Sequence, residues 1–332
     1  MESIETAIAA VGRAFSEKQL DVFEIQIARL AGSRLALRGR VLERSNLDAL
    51  RAALPGMDLD LSGVKVLRAG RPVFRWVATN LTSLHAQPGW LAEQVSQLPF
   101  GVRLEVLEER ERWALIRQDD GYLGWAYLPF TSPVEPPQPT HLAVEPVSPL
   151  MAEPRPDAKI VSRLLGGTPV AVDAVEGDWA RVRMHLPGWV LVDELRGLDA
   201  LPQSAAARRK QILADAQEYI GVPYLWGGCT ANGIDCSGFA QLLYRMVGIS
   251  LPRDAHMQYR AGRAVEGPFQ PGDLVFFGED NDRQSISHVT VSMGGWKIIH
   301  SSRSHNGVAI DEDLREVPHL RDSLTGGAAF ID

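Results

Sequence analysis

Between residues 95 and 189 the chain repeats itself. Val95-Ser96-Gln97-Leu98-Pro99-Phe100-Gly101 returns as Val161-Ser162-Arg163-Leu164-Leu165-Gly166-Gly167, and Trp113 as Trp179, at an offset of 66; Gly124-Trp125 returns as Gly188-Trp189 at an offset of 64. A fixed period means one supersecondary unit used twice. Each copy holds short alternating segments, such as Val170-Ala171-Val172 and Ala180-Arg181-Val182-Arg183, separated by turn residues. That pattern predicts two small β-barrels. The change of offset marks an asymmetry: copy one carries two extra residues in Asp119-Asp120-Gly121-Tyr122, and its Glu93 is replaced by Lys159 in copy two. Copy one is therefore expected to face something that copy two does not; drift in a solvent-exposed loop is the alternative.

At 332 residues the chain exceeds one comfortable hydrophobic core and is expected to be multi-domain. Residues 1–71 read as a small α/β unit: Ile4, Ile8, Val11 and Phe15 recur at helical spacing, Phe23, Ile25 and Ile27 alternate as a strand, and Leu35, Leu37 and Val41 form a second. A capped helix from Ser45 and a last strand at Val64 complete it. The barrels are placed at 72–132 and 140–198, joined by the extended Pro133-Val134-Glu135-Pro136-Pro137-Gln138-Pro139, and a third regime runs over 205–332, opening with a helix over Ala205–Tyr219. The 41 acidic and 34 basic side chains give a net charge of −7 without a basic block, which disfavours nucleic acid and anionic lipid as partners. The start, Met1-Glu2-Ser3-Ile4-Glu5, does not read as a secretory signal, and no apolar run approaches the ~18 residues a membrane span needs. A cytoplasmic location is the expectation. Cys229 and Cys236 are the two cysteines, compatible with a reducing compartment; a disulfide between them is the alternative.

Chemistry concentrates in the last regime. Cys236 precedes the apolar helical run Ala240-Gln241-Leu242-Leu243, so it sits at a helix N-terminus, where the positive dipole end favours thiolate. Ser287-His288-Val289-Thr290-Val291-Ser292-Met293 and Trp296-Lys297-Ile298-Ile299-His300-Ser301 read as a hairpin. A three-residue loop, Met293 to Gly295, would pair 292 with 296 and set His288 directly opposite His300. Thiolate catalysis needs a base and a group that fixes it, which these histidines supply. A zinc site made of Cys236, His288 and His300 competes, but lacks close ligand pairs. His256 and His305 have no evident partners and read as surface residues. Asp254 and Asp235 could each cap the helix that follows them.

Tyr224-Leu225-Trp226-Gly227-Gly228, Asp235-Cys236-Ser237-Gly238, Leu251-Pro252-Arg253-Asp254, Pro271-Gly272-Asp273-Leu274-Val275-Phe276-Phe277, His288-Val289 and Ile299-His300-Ser301 closely resemble the NlpC family of papain-like peptidoglycan peptidases. The resemblance implies an α+β papain-like fold, with Cys236 as nucleophile on a helix packed against an antiparallel sheet, His288 as base and His300 as orienting residue. Val289-Thr290-Val291-Ser292 is more polar than the usual strand after the histidine. The two barrels resemble bacterial SH3-like domains, and residues 1–71 resemble a small BON-type domain.

Members with SH3-like domains and a tyrosine-bearing loop resemble γ-D-glutamyl-L-diamino acid endopeptidases of murein peptide recycling. That implies a small peptide substrate, L-Ala-γ-D-Glu-diamino acid, the diamino acid being diaminopimelate or lysine, with a free amine, and no metal or organic cofactor. Glu93, Tyr122 and Asp254 are then the amine acceptors, Asp235 binds the substrate backbone or amine, and Ser237 lends a hydroxyl or a backbone N–H. Tyr224 and Trp226 wall the cleft. An exported hydrolase of intact wall and a non-catalytic adaptor for wall fragments are the rival readings.

Overall fold

The computed structural model describes residues 2–278 and 285–332. The helix Glu2–Ala14 and the helix Arg44–Ala53 cover a three-stranded sheet in which Phe23–Ala31 pairs antiparallel, and Asp58–Val66 parallel, with the central strand Arg34–Val41. Leu35 and Leu37 point inward at the strand's alternate spacing and meet Ile8, Val11, Leu50 and Leu54 in one core. The second helix starts one residue before the expected Ser45: a capping box between Glu43 and Asn46 closes its N-terminus.

Two seven-stranded sheets follow. Numbered within each unit, both have the strand order seventh-first-fourth-fifth-sixth-second-third, the first running from Val73–Val77 to Thr131–Ser132 and the second from His141–Ala143 to Leu195–Gly197. The repeated Gly-Trp has the same cause in both. A Cβ on Gly124 would lie 2.5 Å from Leu84 Cγ, and one on Gly188 would lie 2.5 Å from Leu150 Cγ. Each glycine lets its strand close onto the second strand, so the following Trp125 or Trp189 is buried at the same place.

The remaining unit carries a six-stranded antiparallel sheet in the order Arg263–Val265, Leu324–Ala329, Leu274–Gly278, Ile286–Gly294, Lys297–Ser302, Gly307–Asp311. Against it packs the helix Cys236–Arg245, whose Phe239, Leu242 and Leu243 share a core with Val289, Val291 and Ile299. The opening helix is Ala205–Gln217, capped by Ser204, slightly shorter than its pattern predicts. No helix among the described residues is long and apolar enough to cross a membrane.

The first seven-stranded unit docks on this one through its strand Gln94–Pro99. Gln97 Oε1 accepts from the Cys229 N–H and from Thr230 Oγ1, both at 3.0 Å, and Gln94 Nε2 donates to the Trp226 carbonyl at 3.1 Å. Gly227, at φ +74°, is what permits the approach, since a Cβ there would lie 2.5 Å from the Gln94 carbonyl oxygen. The second unit contacts the other side, where Arg196 pairs with Asp215 at 2.9 Å. The N-terminal unit is tied in by Arg40–Glu108 at 2.7 Å and by Glu17–His256 at 3.1 Å; His256 thus has a partner that its sequence context does not reveal.

Candidate active site

A cleft of about 770 Å³ opens between the first seven-stranded unit and the last unit. Cys236, His288 and His300 line it, together with Glu93, Tyr122, Tyr224, Trp226, Asp235, Ser237 and Asp254; among the described residues, the second seven-stranded unit contributes none. Every site residue expected from the sequence therefore reaches one cavity.

Cys236 is the first residue of its helix and Asp235 is the cap, its Oδ1 accepting from the Gly238 N–H at 2.7 Å. Both cysteines are free and buried, which removes the disulfide alternative. The thiol does not follow the dipole expectation. Burial first, and then the Asp235 carboxylate, push it up to about 12, against the opposing pull of the Val289 and Ser237 N–H groups. Burial also pushes the His288 imidazole down to about 3. Within the cleft, burial thus favours the neutral form of both the thiol and the imidazole.

The hairpin register differs from the expected one. Val291 pairs with Ile299, Ser292 with Ile298 and Gly294 with Lys297, so the loop is Gly295-Trp296 and Met293 is a bulge. A plain two-residue loop would put the histidines on opposite faces; the bulge restores them to the same face, offset diagonally rather than directly opposite. Diagonal neighbours are within reach of long side chains, and His288 Nε2 lies 2.8 Å from His300 Nδ1. Nδ1 of His288 is the nitrogen left for the thiol.

Asp311 joins this relay, unanticipated from the sequence. It ends the strand Gly307–Asp311, which pairs with Lys297–Ser302, and its Oδ2 lies 3.0 Å from His300 Nε2. The contact is close but bent: neither atom has an aligned hydrogen bond among the described residues. At 3.0 Å the carboxylate still lies directly against the His300 ring. His300 holds the Asp311 carboxyl below its ordinary range. The carboxylate favours the proton on His300 Nε2, so that His300 Nδ1 accepts from His288 Nε2–H and His288 Nδ1 stays a lone pair, the tautomer a base requires.

The cap residue Asp235 corrects another expectation. Its carboxylate takes the Gly238 and Gly227 N–H groups, the Ser237 hydroxyl at 3.3 Å, and two guanidinium nitrogens of Arg253 at 3.1 and 2.6 Å. With five donors on two oxygens it has no acceptor site left for substrate. It is a helix cap and a buried counter-ion. Ser237 Oγ is likewise held by Arg253 at 2.9 Å, which leaves its backbone N–H, at the helix start, as the group facing an oxyanion.

The acceptor set looks different. Asp254 precedes the helix Ala255–Ala261 yet makes no side-chain cap bond, so the capping alternative fails. Tyr122 Oη donates to its two oxygens at 3.2 and 3.1 Å. Burial raises both groups, and Tyr122 remains a donor. Glu93 accepts from Trp226 Nε1 at 2.8 Å, and the Trp226 and Tyr224 rings flank the Arg303 guanidinium at 5.3 and 5.6 Å. Arg303 is a cation at the cleft mouth that carries no motif of its own and was missed in the sequence.

Residues 221–319 match the NlpC/P60 family and residues 79–130 the bacterial SH3 domain. The chain carries an NlpC/P60 cysteine peptidase domain. It is similar to a gamma-D-glutamyl-L-lysine dipeptidyl-peptidase of Bacillus cereus, 27% identical over 73% of this chain and 78% of that protein. A protein of the same name from Bacillus subtilis is 36% identical over 35% of this chain and 40% of its own length. The crystal structure of an NlpC/P60 family protein from Bacillus cereus superposes with TM-score 0.68 at 21% identity, covering 78% of this chain and 100% of that one, and shares its fold.

One prediction arises from the relay of this peptidase. Asp311→Asn removes the charge that fixes the His300 tautomer, and kcat should fall by roughly 100-fold or more with KM little changed. Steady-state kinetics on a peptide substrate check this. A fall in KM-limited turnover alone, or a collapse of folding, would mean Asp311 acts as scaffold and not through His300.

Proposed function

We propose that the protein is a γ-D-glutamyl-L-diamino acid endopeptidase acting, in wall-peptide recycling inside the cell, on released murein peptides whose N-terminal L-Ala amine is free. The observation that carries the reading is Tyr122 hydrogen-bonded to Asp254 inside the cleft, with Glu93 at the same rim. An ammonium group needs anionic or polar acceptors in a partly dry site, and the Asp254 and Glu93 carboxyl groups and the Tyr122 oxygen supply them. Two come from the copy of the repeat that keeps its acidic and tyrosine side chains. Arg303, held between two aromatic rings, offers a partner for a carboxylate of the peptide. The names of the Bacillus relatives support the γ-D-glutamyl linkage. The diamino acid is diaminopimelate or lysine, the latter being the residue in the relatives' names.

In the reaction, His288 Nδ1 takes the thiol proton as Cys236 Sγ bonds to the γ-carbonyl carbon, and the oxyanion rests on backbone N–H groups at the helix start. The tetrahedral species expels the diamino acid's amine, to which His288 returns the proton. Water, deprotonated by His288, then cleaves the thioester and restores the thiol.

The test compares L-Ala-γ-D-Glu-diaminopimelate with its N-acetylated form. Charged hydrogen bonds are worth about 1.5–3 kcal/mol, so the free amine should be favoured roughly 10- to 100-fold in kcat/KM. Tyr122→Phe and Glu93→Ala should narrow that preference without unfolding the protein. Equal rates on the two peptides would sink the amine-pocket reading.

A further inference from the structure

Behind the catalytic pair, His300, His305 and Asp311 bring their ligating atoms within 4.8 Å of one another. His300 Nε2 and Asp311 Oδ2 are 3.0 Å apart, and His305 Nε2 and Asp311 Oδ1 are 3.1 Å apart. His300 is 1% exposed, and its Nε2, like Asp311 Oδ2, has no aligned hydrogen bond among the described residues. Two buried atoms this close to each other without an aligned hydrogen bond are unusual in a folded protein. His305 approaches from the surface on a loop fixed by its own N–H, which donates to Ser302 Oγ at 3.2 Å, and by Asn306 at φ +52°.

Tetrahedral zinc with bonds of about 2.0–2.1 Å separates its ligand atoms by roughly 3.3 Å, a spacing that three atoms within 4.8 Å of one another can adopt. Two imidazoles and one carboxylate form a donor set suited to zinc, with a fourth position open to water. We propose that His300, His305 and Asp311 form a zinc-class divalent cation site whose occupation switches the peptidase off.

The switch follows from proton placement. A cation on His300 Nε2 takes the position where that ring otherwise carries its proton. The neutral ring then holds its proton on Nδ1 and donates to His288 Nε2. His288 must in turn carry its proton on Nδ1, the nitrogen facing Cys236. No proton is gained or lost, but the base has become a donor, and the thiol keeps its hydrogen. This differs from poisoning of the nucleophile: Cys236 is not a ligand, and His305, outside the catalytic relay, is.

Isothermal titration calorimetry of the full-length protein with zinc chloride should show one binding event, and it should persist in Cys236→Ala. In His305→Ala, metal-free turnover should stay within about twofold. Because even outer partners of a metal ligand are worth about 10- to 100-fold in affinity, loss of this ligand should raise both the zinc dissociation constant and the inhibitory zinc concentration at least tenfold together. No binding to the unsubstituted protein, loss of binding in Cys236→Ala, or unchanged inhibition in His305→Ala would each overturn the proposal. The last two would place zinc on Cys236 and His288 instead.

Discussion

Cys236→Ala should leave hydrolysis of a γ-glutamyl tripeptide at least about 10⁴-fold below the unsubstituted protein, and His288→Ala should fall as far, because members of a nucleophile–base unit fail together. The fold should survive either change. Cys236 is a small, 8% exposed side chain on a helix whose packing rests on Phe239, Leu242 and Leu243. Cys229→Ala is the informative control. That thiol is equally buried, donates to the Gln97 carbonyl at 3.3 Å, and is pushed up by its burial, yet it does not line the cleft. Its loss should cost at most about tenfold, through the docking of the first seven-stranded unit. Because burial raises the Cys236 thiol as well, alkylation by iodoacetamide at neutral pH should be slower than for a free cysteine, in which a few per cent is thiolate. Mass spectrometry of products settles the first point, and turnover by Cys236→Ala at more than a hundredth of the normal rate would exclude this cysteine as the nucleophile.

How much of this was legible depends on whether a residue's role is local. The cysteine at its helix start and the two histidines in one hairpin were readable because each depends on a few neighbours in sequence. The register was not, because it turned on one bulge at Met293, and a bulge is chosen by packing on both sides of the strand. Asp311 was invisible for a related reason: it meets His300 only after a third strand pairs at His300–Ala309. The part of the first seven-stranded unit in the cleft was readable from an unusual source. Two copies of one repeat share their core leucines, Leu98 and Leu164, so the positions where they differ, Glu93 and Tyr122, stood out. Asp235 was misread because its neighbours in space, Gly227 and Arg253, lie on separate loops. Arg253 itself stood in plain view inside Pro252-Arg253-Asp254, where only the aspartate drew a role.

That arginine carries the other large effect. Its side chain is 2% exposed, and all its partners are buried: Asp235 through two nitrogens, Ser237 Oγ, and Ser96 Oγ of the first seven-stranded unit at 3.0 Å. Arg253→Met leaves the Asp235 carboxylate buried without a counter-ion, a loss that costs about 3–5 kcal/mol and should lower the melting temperature by roughly 10 °C. Activity should fall as well, since the guanidinium offsets the Asp235 charge that raises the Cys236 thiol. The sign of a second substitution separates charge from packing. If the harm is the orphaned carboxylate, Asp235→Asn in the Arg253→Met background should recover stability, whereas Asp235→Asn alone should lose it, giving a coupling of 0.5 kcal/mol or more, on the order typical of contacting pairs. Additive losses would assign Arg253 a packing role only. An unchanged melting temperature in Arg253→Met would mean that the cap, the nucleophile's helix and the first seven-stranded unit are held together by something other than this one guanidinium.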